Sequence, residues 1–136
     1  MAPGTERKHL REYLKREMPQ SRSYSAAVVT HGGRTIWLAG VVALEDASGK
    51  SLADDFDGQV REVFARIGKE LEAVDATLAD MVTMTVFITD TRYGDRFVEL
   101  RKEILGDNFP ASALITCAGL GRPGLLVEIQ AIAVAD

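Results

Sequence analysis

Two residues near the C-terminus carry the strongest chemical signal in this 136-residue chain. Glu128 is the one carboxylate in the run Leu125-Leu126-Val127-Glu128-Ile129-Gln130-Ala131-Ile132-Ala133. On a strand, Val127 and Ile129 point to one face, so Glu128 shares the other with Gln130 and Ile132. A carboxylate desolvated on so apolar a strand can position a water molecule or shuttle a proton. The alternative is a glutamate bonded to backbone or paired at a subunit interface. Ser112 follows Phe109-Pro110-Ala111 at the head of another apolar strand. Its hydroxyl can donate or accept a hydrogen bond but carries no charge.

Other reactive side chains offer less. Cys117 falls on the strand face opposite Ser112, Leu114 and Thr116, with no histidine suitably placed, so a core thiol is expected rather than a nucleophile. His9 and His31 have no partner at metal-ligand spacing, and Ser25, Ser112 and His31 form no recognisable hydrolase arrangement. No glycine-rich phosphate loop precedes a helix. Neither a metal nor a cofactor is therefore expected. Tyr24, at the entry to a strand, can wall a pocket.

The elements that must position these residues follow from periodicity. Residues 6–17 read as a short helix, with Leu10, Tyr13 and Leu14 on one face and Pro19 ending it. A strand over 24–30 meets Gly32-Gly33, whose positive φ suits a tight hairpin turn into a second strand over 35–44. Gly40 interrupts that second strand, as expected of a bulge or of something approaching the backbone closely. Residues 54–74 carry Phe56, Val60, Val63, Phe64, Ile67, Leu71 and Val74 at helical period. Asp54, Asp55 and Asp57 sit where the helix dipole favours negative charge, and Asp75 stands at a left-handed cap position. Residues 81–89 alternate as a strand, with Val82, Met84, Val86 and Ile88 on one face. Residues 94–105 form a second helix, with Phe97, Leu100, Arg101 and Ile104 at helical spacing. Two strands close the chain. The order β-β-α-β-α-β-β predicts an α+β fold with both helices on one sheet face. Such a sheet leaves its other face bare, and Val82, Val86, Ile129 and Ala131 then call for burial by symmetric association.

Composition sets the outer bounds. The length fits one domain, and no run of apolar residues is long enough to span a membrane. The charged N-terminus (Glu6, Arg7, Lys8, His9) does not read as a secretory signal. A single cysteine fits a reducing compartment, with the cytoplasm as the expected location. Net charge is -4, yet residues 1–22 carry six Lys/Arg against three Glu. That modest basic segment lacks the interleaved aromatics of single-strand binders, so nucleic acid is not the expected partner.

The segment from Phe109-Pro110-Ala111-Ser112 through the Gly119–Gly124 turn to the Glu128 strand resembles the C-terminal signature of the RidA/YjgF (Rid) family. Further residues match in order and spacing: Tyr24-Ser25 at the first strand, Gly40, Gln59, and Ala79-Asp80-Met81-Val82 leading into Thr85-Val86-Phe87-Ile88-Thr89-Asp90. The resemblance covers residues 22–134 and leaves residues 1–21 as an N-terminal extension. It implies a chorismate-mutase-like sheet backed by two helices and a homotrimer with small-molecule clefts between subunits. It also implies enamine or imine hydrolysis, with Glu128 orienting the attacking water. Tyr24, Ala39, Gly40, Ser112 and Leu114 would line the site.

Ser112 departs from the pattern, because deaminating members carry there an arginine that holds the substrate carboxylate. Losing such a pair weakens carboxylate binding by about 2 to 5 kcal/mol, or roughly 30- to 4000-fold. Either another cation serves, from among Arg22, Arg92, Arg96, Arg101 and Arg122, or the ligand is not a simple α-imino acid. Arg122, on the loop between the last two strands, is the first candidate. Ala39 stands where serine is frequent, Leu114 where several deaminases carry cysteine, and the Leu120–Leu125 loop is one residue longer than usual. These departures favour a less charged or larger ligand. They also raise a second reading, a non-catalytic trimeric metabolite sensor or protein-interaction module. Some relatives have been described as ribonucleases, which the acidic body does not favour here.

Overall fold

The computed structural model describes residues 10–136. Strand β1 (Arg11–Leu14) pairs antiparallel with β2 (Ala27–Thr30) in a small two-stranded sheet, with the short helix α1 (Glu17–Ser21) between them. The main sheet has four strands in the order β3-β6-β4-β5: β3 (Arg34–Trp37), β6 (Val127–Ala135), β4 (Met81–Ile88) and β5 (Ala111–Thr116). Helices α2 (Phe56–Glu72) and α3 (Gly94–Leu105) cover one face of it. The expected α+β fold with two helices on one sheet face is thus observed, with a second small sheet and a third, short helix added.

The helix expected over 6–17 is corrected. Residues 1–9 lie outside the described part, and Arg11–Leu14 is a strand. Three apolar residues in five positions fit either period, and four backbone pairings to β2 decide the matter in favour of tertiary context. Pro19 does not end a helix but sits within the first turn of α1, where a missing N–H costs no internal bond. Gly32 and Gly33 do adopt positive φ, 66° and 78°, yet they do not close a hairpin. The strands on either side diverge, β2 to β1 and β3 to β6.

The periodic elements lie where the pattern puts them. In α2, Phe56, Val60, Val63, Phe64, Ile67 and Leu71 are buried. Asp55 caps it, its carboxylate accepting from the Gly58 N–H, and Asp75 takes a φ of 60° just beyond its end. In β4, Met84, Val86 and Ile88 face the helices, whereas Thr83, Thr85 and Phe87 face outward. In β6, Val127, Ile129, Ala131 and Ala133 face the core. Strand β5 runs parallel to β4 after the α3 crossover, and β6 returns antiparallel on the other side of β4.

The residues expected on the bare face need correction as well. Val86, Ile129 and Ala131 are buried under the helices. The outer face instead carries Trp37, Phe87, Ile115 and Ile132, mixed with Thr83, Thr85, Glu128 and Gln130. The β6 strand is therefore wholly apolar on its helix-facing side and mixed on the other. No helix among the described residues is long and apolar enough to cross a membrane.

Candidate functional site

Residues paired across neighbouring strands share a face of the sheet, so the register separates the predicted site residues. Ser112 pairs with Met84 and Met84 with Ala131, a row that faces the helices. Glu128 pairs with Phe87 and Phe87 with Ile115, a row on the outer face. Within one protomer the two residues thus lie on opposite sides of the sheet.

Glu128 is half-buried against the β3–β6 edge. Leu38 N–H donates to Ala131 O (3.2 Å) and Val41 N–H to Ile129 O (2.8 Å). Three steps along one chain thereby oppose two along the other, a bulge at Ala39-Gly40. A Cβ at Gly40 would collide with the Glu128 carboxylate. Glycine here leaves room for the carboxylate end of the Glu128 side chain, and the bulge and the close approach anticipated at this position coincide. Among the described residues no hydrogen bond is made to the Glu128 carboxylate. Ala39 and Gly40 themselves border an open hollow of about 660 Å³ between the β3 edge and α2, flanked by Trp37, Arg66 and Lys69.

Ser112 belongs to a different constellation. Arg101 of α3, only 2% exposed, donates from Nη1 to Ser112 Oγ (2.7 Å), from Nε to Ser23 Oγ (3.1 Å) and from Nη2 to the Arg22 carbonyl (3.2 Å). Its guanidinium lies 5.0 Å from the Phe97 ring centroid and 5.9 Å from that of Tyr24, within cation–π range. Burial, reinforced by the nearby Arg22 charge, pulls its pKa down from the usual arginine value to about 10 and leaves it a cation at neutral pH. Arg22, Tyr24, Val98, Arg101, Ser112 and Leu114 enclose a cavity of about 240 Å³.

The segment over α3 is fastened tightly. Ser23, fully buried with a φ of 60°, donates from Oγ to Val98 O (2.9 Å). Ser25 donates from Oγ to Phe109 O (2.6 Å) and from its N–H to Pro110 O (3.0 Å). These bonds set the Tyr24 ring beside the cavity. A non-glycine residue in the left-handed region is uncommon and is held here by its surroundings.

The structure therefore groups Tyr24, Ser112 and Leu114 together, Glu128 with Gly40, and leaves Arg122 aside. Arg122 is exposed on the loop before β6; the cation at Ser112 is Arg101 instead. Sequence reasoning counted Arg22 and Arg101 among five candidates and did not single out Ser23. The available signal was an arginine within the apolar stripe of α3. Cys117 is half-buried rather than a core residue, its thiol 3.6 Å from Ile88 O and 3.7 Å from Gly119 O. Gln59 is fully buried and ties α2 to the turn ahead of β6. Its amide donates to Leu52 O (2.8 Å) and Gly124 O (2.7 Å), and its Oε1 accepts from Leu126 N–H (2.8 Å). Among the described residues no group of His, Cys, Asp or Glu is placed to hold a metal. A hollow of about 870 Å³ beside β1 contains none of the predicted site residues; its Arg11 is engaged by Asp80 (2.9 Å) and Val134 O (2.7 Å).

A four-stranded mixed sheet backed by two helices, with a glutamate facing a bulge glycine, defines a small α+β protein of the Rid type. The sequence model of the family described as Endoribonuclease L-PSP matches residues 15–135, and the chain belongs to that family, the RidA/YjgF proteins. A Rid-family protein of unknown function from Yersinia pestis is 26% identical with a TM-score of 0.80, covering 92% of this chain and 98% of that one. A YjgF-family member from Mycobacterium tuberculosis is 31% identical at a TM-score of 0.63, covering 92% and 99%. A Pseudomonas aeruginosa protein of unknown function is 29% identical at 0.67, covering 84% and 82%.

Proposed function

We propose that this chain hydrolyses the C=N bond of a small imine, supplied as such or by tautomerisation of its enamine, in a cleft completed between subunits of a homotrimer. Glu128 takes a proton from water as the oxygen attacks the C=N carbon. The nitrogen gains a proton, and the resulting carbinolamine collapses to a carbonyl and ammonia. One observation carries the reading: the Glu128 carboxylate lies against the Gly40 bulge on a sheet face that no helix among the described residues covers. The split between Glu128 and the Ser112 cavity supports assembly, since only a second copy can bring the outer face of one protomer to the cavity edge of another. Trp37, 76% exposed, and Ile115, 43% exposed, give that face apolar area to bury.

The test is hydrolysis of imines generated in situ from amino acids, with wild type compared with Glu128→Gln. Mass by light scattering is measured on both. Wild-type turnover abolished by the substitution, in a particle of three chains, supports the reading. Turnover insensitive to the substitution, or a monomer, refutes it.

A further inference from the structure

The outer edge of β3 carries backbone groups that no strand among the described residues pairs. We propose that this edge and the hollow beside it bind an extended, acidic peptide segment of a partner protein as an added strand.

β3 is the outermost strand of the main sheet and pairs only with β6, antiparallel. Leu38 N–H donates to Ala131 O in the same register, so the alternating pattern turns Ile36 and Arg34 toward β6 as well. Thr35 and Trp37, the residues between, then direct their N–H and C=O groups away from the sheet. Among the described residues neither has a backbone partner on that side. The strand that precedes β3 across Gly32-Gly33 does not fill the place, because β2 pairs with β1. An exposed row of this kind is a template for a further strand, and an extended peptide is the ligand that completes it.

The hollow of about 660 Å³ lies between that edge and α2, so an added strand would have a sheet edge as one wall and a helix as the other. Leu38, Val42 and Val74 give the hollow an apolar lining, and Arg66 and Lys69 stand there with Glu70. Arg66 donates to two neutral carbonyls, Val42 O (2.8 Å) and Glu45 O (2.8 Å). Lys69 makes no ion pair among the described residues. The lining is therefore apolar with a surplus of positive charge, and the complementary strand carries acidic residues around an apolar one. Side chains of an added strand alternate between faces. Every second one falls over the hollow, and the others lie beside Trp37 on the outer face. Trp37 is the one tryptophan of the chain and is 76% exposed, so its emission reports occupancy of the edge.

The probe is the peptide acetyl-Glu-Thr-Val-Thr-Glu-amide, titrated into the full chain at low salt by calorimetry, with Trp37 emission read alongside. Saturable binding with a blue shift is expected. The counterpart with lysine in place of both glutamates should bind about 5-fold or more weakly, as two exposed charge pairs imply. Methylating the two threonine amides of the probe removes the donors that face β3 and should weaken binding by about 10-fold or more. Thr35→Pro removes a donor from the edge itself, where proline is tolerated because that N–H faces away from the sheet, and should abolish binding. Lys69→Glu should reverse the preference between the two peptides. Should Thr35→Pro fail to fold, the methylated probe still decides, because it leaves the protein unaltered. Absence of saturable binding in wild type overturns the proposal, as do binding undiminished by methylation and equal affinity for the two peptides. Light scattering on wild type and Thr35→Pro adds one more outcome. A particle that loses chains on that substitution means that a second copy occupies the edge, which also overturns the proposal.

Discussion

The two sides of the sheet are built on opposite plans. On the helix side, the Ser112 cavity is lined by side chains of its own protomer, and the polar atoms around Arg101 bond to one another. On the outer side, Glu128 has room cleared for it by Gly40 but receives no donor among the described residues. One region has its polar groups satisfied within the chain, and the other has a carboxylate without a described donor. Under the proposed reading, the reaction at Glu128 then depends on assembly.

Substitutions can break each side separately. The largest effect is expected from Glu128→Gln, which should lower kcat for imine hydrolysis by about 10²- to 10⁴-fold, the usual contribution of a general acid–base group. Circular dichroism should show the fold unchanged. Next comes Ser112→Arg, which would restore the family residue in a cavity already holding a cation. It should destabilise the fold by about 2 to 3 kcal/mol through lost charge-assisted bonding and like-charge repulsion, read by urea unfolding. Adding Arg101→Ser in the same chain should recover most of that loss, a coupling that a double-mutant cycle quantifies. Additive losses would contradict the proximity of the two side chains.

Gly40→Ala probes the outer side without replacing a charged group. Its Cβ displaces the Glu128 carboxylate, and kcat should fall by roughly 10- to 100-fold, because small misplacements of a reacting group are costly. The smallest effect belongs to a pair remote from both regions. Arg96 of α3 grips Asp57 of α2 with bonds of 2.6 to 3.1 Å, and this hydrogen bonding lowers the Asp57 pKa below 3.8. A depressed native pKa adds stability above pH 3.8 that is lost as pH falls through the lower native value. Asp57→Asn should therefore cost about 0.5 kcal/mol at pH 7, as exposed pairs do, and progressively less as pH falls below 3.8. Unfolding curves at the two pH values check this.

Much of the scaffold was legible in the residues because its signals are local. The stripe from Phe56 to Leu71 has one period that fits, and Gly94–Leu105 is bounded by a glycine at each end. Gly40 was readable because a glycine inside a strand has few explanations. The site was less legible because it depends on which residues meet. Arg101 stood visibly among Phe97, Leu100 and Ile104, yet only the packing of α3 on β5 shows that it reaches Ser112. Arg122 looked closer along the chain and is not the residue used. Likewise, the β4 register alone places Ser112 and Glu128 on opposite faces, a relation that alternation within each strand cannot supply. The N-terminal strand was misread because Leu10, Tyr13 and Leu14 fit two periods, and its partner lies across a loop.

The 2.7 Å bond from Arg101 to Ser112 also couples two positions of the chain. A guanidinium placed at position 112 would share its cavity with another, and loss of Arg101 alone would leave the cavity with none. The effect of a substitution at either position is therefore expected to depend on the residue at the other.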